Sequence, residues 1–337
     1  MTTNGDDATK VVPVRHYGQW VASAFMLLFV AMLVHTLFSK VPVPSGAKVC
    51  HVVNGVKTCT PELQWRFSWT LVHKYITAPE IMRGLLITLE LTAIAMLGGI
   101  VIGVIVAIMR LSSNRLLSST AWTYTWFFRG TPVYVQLFFW FGISALYPSF
   151  SIGIPFTHIA LVTFSANTVI APFTSAAIAL SLNEGAYMAE IARAGLIAVD
   201  EGQSEAASSL GMNRGQTLRY VVLPQAMRVI IPPTGNELIS MLKTTSLVSA
   251  VGVMDLFGAA QDIAANIYND IPLLIVASIW YILITTILSI GQFYVERHYA
   301  KGALRSQPPT PLARLIGDVR GIVSKMRTRR VPKEVRA

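Results

Sequence analysis

The chain has 337 residues, 53% of them hydrophobic and only 13% charged, with a mean hydropathy of +0.54. Soluble domains carry roughly 25% charged residues, so the composition excludes an ordinary water-soluble globule and names lipid as the solvent. The net charge of +10 would suit nucleic acid, but eleven basic and three acidic residues from Glu296 onward put +8 of it in one aromatic-poor tail. That placement fits anionic headgroups at the cytoplasmic face, with no nucleic-acid partner.

A span must cover about 30 Å of hydrocarbon at 1.5 Å per residue, which takes about 20 apolar residues. Six windows qualify: Tyr17–Phe38, Leu85–Met109, Trp122–Tyr147, Pro172–Leu196, an interrupted Ala226–Val251, and Pro272–Tyr294. With the basic tail inside, an even number of spans puts both termini in the cytoplasm. Arg110, Arg115, Arg193, Arg214, Arg219 and Arg228 then also fall inside, whereas Lys40, Lys48, Lys57, Arg66, Lys74 and Arg83 weaken the signal from outside.

Residues 1–16 form a polar N-terminal segment. The first apolar run, 17–38, follows Lys10 and Arg15 but has no small-x-small cleavage site, so a retained helix is expected over a cleaved signal peptide. An external loop, 39–78, holds both cysteines. Asn54-Gly55 is a strong two-residue hairpin signal; pairing outward from it sets Cys50 opposite Cys59 at a non-hydrogen-bonded position, about 4.5 Å between Cα atoms and within disulfide range. A Cys50–Cys59 bridge suits an external loop; two free thiols are the alternative, and no metal site is indicated.

A membrane domain is expected over 79–297. Within it, Tyr147–Ala171 carries Pro148 and Pro155 and is taken as a second external loop; about 198–225 is an internal one. The tail, 298–337, opens with Pro308, Pro309 and Pro311, and Leu315–Met326 suits either a basic surface helix or disorder. No Gly-x-x-x-x-Gly-Lys-Ser/Thr phosphate loop is present. Any ATP used by this machine is therefore bound by another polypeptide.

The internal loop is the most informative segment. Glu201–Leu210 reads as a short amphipathic helix closed by Gly211, with Ala206 and Ala207 as a small-residue surface open to close approach. Gly215 and Tyr220–Leu223 begin a second short helix, which Pro224 is expected to break. The spacing of Glu205-Ala206-Ala207, Gly211 and Leu223-Pro224 resembles the cytoplasmic signature of the permease subunits of ATP-binding-cassette (ABC) importers. Arg129-Gly130-Thr131-Pro132 with Gln136-Leu137, Ala186-Tyr187 with Glu190 and Arg193, and Lys243-Thr244-Thr245-Ser246-Leu247 resemble motifs of the polar amino-acid members of that family.

The resemblance covers about Gly84 to Arg297. It implies an all-α type I importer fold, a five-helix core to which the N-terminal helix is an addition, in the inner membrane of a prokaryote. It also implies separate ATPase subunits holding ATP and Mg, an extracytoplasmic amino-acid-binding protein, and a second permease subunit that is a copy of this chain or a different one. Glu205, Ala206, Ala207, Gly211, Leu223 and Pro224 would couple to the ATPase, and this chain would catalyse no bond chemistry.

Polar groups inside spans face a cavity or a partner, because a charge at mid-membrane costs about 2.5–3.5 kcal/mol on insertion scales. Glu184, Tyr187 and Glu190, three residues apart, are expected on roughly one side of their helix and to line a substrate path; for Glu190 a plain pair with Arg193 is the competing reading. Pro232-Pro233-Thr234-Gly235-Asn236 and Lys243–Ser246 are expected to interrupt the fifth span twice, as in helices that coordinate substrate. Thr244, Thr245 and Ser246 are the path candidates there, with Asn236 and Glu237 behind them; helix–helix hydrogen bonding is the alternative. Pro132 is expected to kink the third span. An ion-coupled secondary transporter would show paired repeats, which the sequence lacks; a structural anchor would leave the intramembrane carboxylates unexplained.

Overall fold

The computed structural model describes residues 17–42, 48–53, 56–61, 63–65, 67–147, 149–153, 160–165 and 170–299. Residues 1–16, the Asn54-Gly55 turn and the tail beyond Tyr299 lie outside them. The chain divides into two units, residues 1–78 with 260–276 and residues 79–259 with 277–337.

In the first unit, α1 (Tyr17–Leu37) is a single apolar helix. After it, β1 (Lys40–Pro42) pairs antiparallel with β4 (Leu63–Trp65), bracketing the hairpin of β2 (Lys48–Val53) and β3 (Val56–Pro61). The hairpin register sets Val53 against Val56 and Cys50 against Cys59. A short α2 (Trp69–Tyr75) follows, and Trp69 stacks on Phe38 at 5.5 Å and meets Phe67 edge-on at 4.9 Å.

The second unit is a helical bundle. Its elements are α3 (Pro79–Arg110), α4 (Arg115–Gly130), α5 (Val133–Leu146), α6 (Pro172–Ile197), α7 (Glu201–Ser209), α8 (Arg214–Thr217), α9 (Leu223–Thr244) and, running in from the first unit, the later part of α11 (Asp270–Tyr299). A helix α10 (Leu256–Ile267) starts here and passes into the other unit. Among the described residues, α3 and α11 are long and apolar enough to cross a membrane alone, and the bent run 214–267 makes a third. Tyr147–Ala171 is not all loop: β5 (Ser149–Gly153) and β6 (Ala160–Ser165) pair antiparallel, and the period-2 alternation of Ser149-Phe150-Ser151-Ile152 is what the sequence reading missed.

The centre of the bundle is the contact of α3 with α6. Ala95, Gly99, Gly103 and Ala107 recur every four residues and are all buried, a small-residue ridge of the kind that lets membrane helices approach closely. Gly99 lies against Glu184 and Gly103 against Met188, so residue numbers rise together and the two helices run parallel. Arg110 and Ile197 therefore leave the bundle at the same end. The antiparallel α4 and α9 start at that end, and Tyr299 of α11 finishes there beside Pro224 and Arg228.

Three expectations about proline fail for one physical reason. A proline withholds an N–H and crowds the carbonyl four residues back, and its effect depends on where that carbonyl can go. At Pro132 the chain does not kink; it breaks, with Thr131 and Pro132 extended between α4 and α5. Pro224 does not break its helix, because a π turn over Leu218–Val222 widens the backbone ahead of it and Leu223 N–H bonds to Leu218 C=O. Pro232 and Pro233 lie inside a continuous α9, and the interruption comes only at Thr244, where a 3₁₀ run, Thr245–Val251, leads to Gly252 at φ +85°.

Candidate functional site: a doubly capped helix and a polar seam

The helix α7 is seated at both ends. Asp200 caps its start, accepting from the Gly202 N–H at 2.8 Å. At its end Gly211 adopts φ +79°, and two backbone bonds close the turn: Gly211 N–H to Ser208 C=O at 3.0 Å and Met212 N–H to Ala207 C=O at 3.1 Å. This is the Schellman arrangement, which needs a left-handed residue at that position. Asn213 and Gln216 then form a reciprocal capping box for α8, and α8, the π turn and α9 run on without a gap. Gln225 Nε2 bonds back to Gln203 Oε1 at 3.3 Å, tying α7 to the start of α9. The helix α7 is thereby fastened to a bundle helix.

The surface α7 offers differs from the expected one. Ala207 is buried at 3% exposure and serves the inside of the turn, so it is not open to a partner. Glu205 and Ala206 are exposed, and Leu210, one turn beyond Ala206, is 82% exposed. Sequence reasoning missed Leu210, which only a protruding turn makes conspicuous. Leu223 is also exposed, and Leu223 and Pro224 line a cavity of about 370 Å³ with Arg219, Arg228, His298 and Tyr299.

Deeper in the bundle a polar seam joins α6 to α4 and α5. Gln136 Nε2 lies within hydrogen-bond distance of Phe128 C=O (2.9 Å), Thr131 C=O (3.1 Å) and Thr131 Oγ1 (2.7 Å). Asn183 Nδ2 donates to Phe128 C=O at 2.9 Å and to Gln136 Oε1 at 3.2 Å. These amides satisfy carbonyls that the break at Thr131-Pro132 leaves free, as non-helical backbone at membrane depth requires. Tyr124 OH adds a bond to Leu182 C=O at 2.6 Å.

Glu184, Tyr187 and Glu190 do not share one face. Steps of three residues fall short of the 3.6-residue turn, and over six residues the shortfall reaches about 120°. Glu184, 2% exposed, faces Gly99 of α3, and its Oε1 has no hydrogen-bond partner among the described residues. It lies within electrostatic reach of Glu237 of α9. The Arg129 guanidinium stands over the Tyr187 ring at 5.4 Å and acts on both Glu190 and Glu237. Glu190 itself is bound by Arg193, the plainer of its two expected roles. Sequence reading left the role of Arg129 open; the structure puts it at the middle of this charge cluster.

Thr244, Thr245 and Ser246 lie apart, about 10 Å further along the axis than Glu237 at 1.5 Å per residue. Their hydroxyls donate to Ser240, Leu242 and Lys243 carbonyls of their own helix end, at 3.0, 2.7 and 2.7 Å. Beyond them, and unforeseen, Asp255 is wholly buried. It accepts from Gly258 N–H (2.9 Å), Phe257 N–H (3.3 Å) and Tyr281 OH (3.3 Å), while Thr88 Oγ1 accepts from Leu256 N–H (3.0 Å). A cavity of about 720 Å³ between α3, α9 and α11 is lined by Met96, Ile100, Leu238 and Ile287 among others. Its apolar walls suit acyl chains or a neighbouring helix, not a polar substrate.

Residues 99–301 match the family described as "Binding-protein-dependent transport system inner membrane component". The chain belongs to that family. It is 42% identical over 312 residues to the arginine transport system permease protein ArgU of Corynebacterium glutamicum, covering 92% of this chain and 89% of that one. It is 39% identical over 230 residues to the L-cystine transport system permease protein TcyB of Bacillus subtilis, covering 68% and 90%. A crystal structure of an amino acid ABC transporter with histidines superposes with a TM-score of 0.58 at 35% identity, over 68% of this chain and 98% of that one. The chain is thus a membrane permease subunit of an ABC importer with the type I fold, and the ion-coupled secondary transporter is set aside.

Proposed function

We infer that this chain forms the translocation path for a polar amino acid and draws its work from separate ATPase subunits, which hold ATP and Mg and dock on α7. The observation that carries this reading is the doubly capped α7, welded through Asn213, the π turn and Gln225–Gln203 to the bundle. Glu205, Ala206, Gly211, Leu223 and Pro224 build the coupling surface, with Ala207 acting from inside it and Leu210 joining it. The relatives named for arginine and cystine transport support an amino-acid substrate.

Tyr187, under the Arg129 guanidinium, lines the path from α6, while Glu184, buried against Gly99, and Glu190, held by Arg193, act on it from its wall; Thr244 and Ser246, with Thr245 buried between them in the chain, form a second set at the far end of α9. In this reading both termini are cytoplasmic, a binding protein delivers substrate from outside, and a second permease subunit completes the enclosure. The strand register that sets Cys50 against Cys59 supports a disulfide in the external hairpin. Two membrane states are then biased by a hydrolysis cycle at a distance.

The test is uptake by proteoliposomes containing this chain, its co-purifying ATPase and the binding protein. ATP-dependent uptake of an amino acid that stops on omission of the ATPase is the expected result. Uptake from this chain alone, driven by an ion gradient without ATP, would refute the reading.

A further inference from the structure

The turn between α3 and α4 borders an open cavity of about 360 Å³ lined by Arg110, Arg115, Trp122 and the serines at 112, 113, 118 and 119. Arg110 Nε is withdrawn from solvent and has no hydrogen-bond partner among the described residues, a state that costs free energy unless something supplies an acceptor. The carboxylate of Glu190 acts on Arg110 from a distance, but it is bound by Arg193. Arg110 and Arg115 therefore line one corner, and among the described residues neither forms an ion pair. Ser118 Oγ donates to Arg110 C=O at 3.3 Å and Ser112 Oγ accepts from Asn114 N–H at 3.2 Å, so the turn is internally braced and the Ser112 proton is free to point outward.

We propose that this corner binds a phosphate group, and that its source is the headgroup of an anionic phospholipid. Guanidinium groups and hydroxyls together are donors with no competing acceptor charge, the pattern that phosphate oxygens require. The choice of lipid over free phosphate comes from what adjoins the cavity. Trp122 and Trp126 stack at 6.1 Å and 10°, both well exposed, and Leu116 and Leu117 are exposed on the same helix. Tryptophan beside arginine marks the membrane–water boundary, so a phosphate seated at the corner would send its acyl chains along the tryptophan face. Arg110 leaves the bundle at the same end as α7, which makes this the cytoplasmic leaflet under the function proposed above; the cavity itself does not depend on that function.

The test uses the full chain in detergent micelles and native mass spectrometry, with phosphatidylglycerol, diacylglycerol and inorganic phosphate as probes. Phosphatidylglycerol should bind and diacylglycerol should not. Arg110→Gln with Arg115→Gln should weaken phosphatidylglycerol roughly tenfold or more, each cation near a membrane surface being worth about fivefold. The charge-matched Lys333→Gln with Arg336→Gln should bind as the unaltered chain does. Arg115 is exposed, so Arg115→Gln alone tests the site without threatening the fold and should lose roughly fivefold, with Arg115→Lys restoring most of it. Equal losses in the two charge-matched doubles, or none in Arg115→Gln, would overturn the proposal. Displacement of the lipid by millimolar phosphate, dependent on both arginines, would keep the phosphate chemistry and overturn the lipid as its source. Loss of lipid binding when the ATPase is present would overturn it in favour of a protein contact.

Discussion

Gly211 is the position where a single backbone angle can be tied to transport. At φ +79° it occupies the left-handed region, and a methyl group there would meet nothing within 4 Å. Substitution therefore carries a conformational cost with no steric one. For alanine that cost is about 1 kcal/mol, and for a β-branched valine about 2 kcal/mol, whereas asparagine tolerates the region with little penalty. At 1.4 kcal/mol per tenfold, the ratio of capped to frayed α7 should fall roughly fivefold for Gly211→Ala and roughly thirtyfold for Gly211→Val. Two readouts follow this ratio in the assembled complex: amide hydrogen exchange over residues 201–213, and substrate molecules taken up per ATP hydrolysed in proteoliposomes. Both should rank glycine, asparagine, alanine, valine. Gly142→Ala, which also meets nothing within 4 Å but sits at ordinary helical angles, should leave both unchanged. If valine at 211 exchanges and transports like glycine, the Schellman closure is not what makes α7 a lever.

Other perturbations test the bundle and the path. Gly103→Ala would put a methyl group against Met188 Cβ and within 2.9 Å of the Ala189 amide nitrogen, a backbone atom that cannot rotate away; it should destabilise the detergent-solubilised chain by about 1–3 kcal/mol in thermal unfolding. Gln136→Leu removes the donor to Phe128 and Thr131 and leaves Asn183 short of an acceptor, so a loss of about 1–3 kcal/mol is expected, partly recovered by Gln136→Asn only if the shorter amide still reaches. Asp255→Ala strips two N–H groups and the Tyr281 hydroxyl of their acceptor and should cost a similar amount, about 1–3 kcal/mol; unchanged melting would remove Asp255 as a structural anchor. Glu184→Gln should change uptake rate or substrate preference while ATPase docking persists, and wild-type competition profiles across amino acids would make that side chain purely structural.

Much of this was legible because certain residues admit few conformations. A short helix closed by glycine had one good reading at Glu201–Gly211, and the structure has that helix and that left-handed turn. Asn54-Gly55 likewise dictated the strand register around Cys50 and Cys59. What escaped depended on partners distant in sequence. Pro132, Pro224 and Pro232-Pro233 look alike in a sequence, yet the first breaks a helix, the second is taken up by a π turn and the last pair is absorbed. Gln136 and Asn183, 47 positions apart, are unremarkable until the break at Thr131 gives them carbonyls to satisfy. Asp255 reads as a loop residue until Thr88 and Tyr281 enclose it.

If α7 is the coupling helix proposed above, long-range satisfaction also decides how the seam responds to it. The helix α6 runs unbroken for 26 residues, gripped by α3 along the Ala95–Ala107 ridge and by Gln136 through Asn183. The glycine and alanine ridge of α3 seats the Glu184 and Met188 side chains directly against its backbone, and interiors packed this tightly pass displacement on instead of absorbing it. Arg129 over Tyr187 then lies on a body whose far end, at Ile197, leads through Asp200 into α7. If α7 draws α6 with it by a few ångströms, Tyr187 and Glu190 move too, and α4 and α5 must follow or the Asn183 bonds to Phe128 and Gln136 break. Because breaking them would leave amide donors and carbonyls unpaired at membrane depth, movement of α6 together with α4 and α5 is the cheaper course.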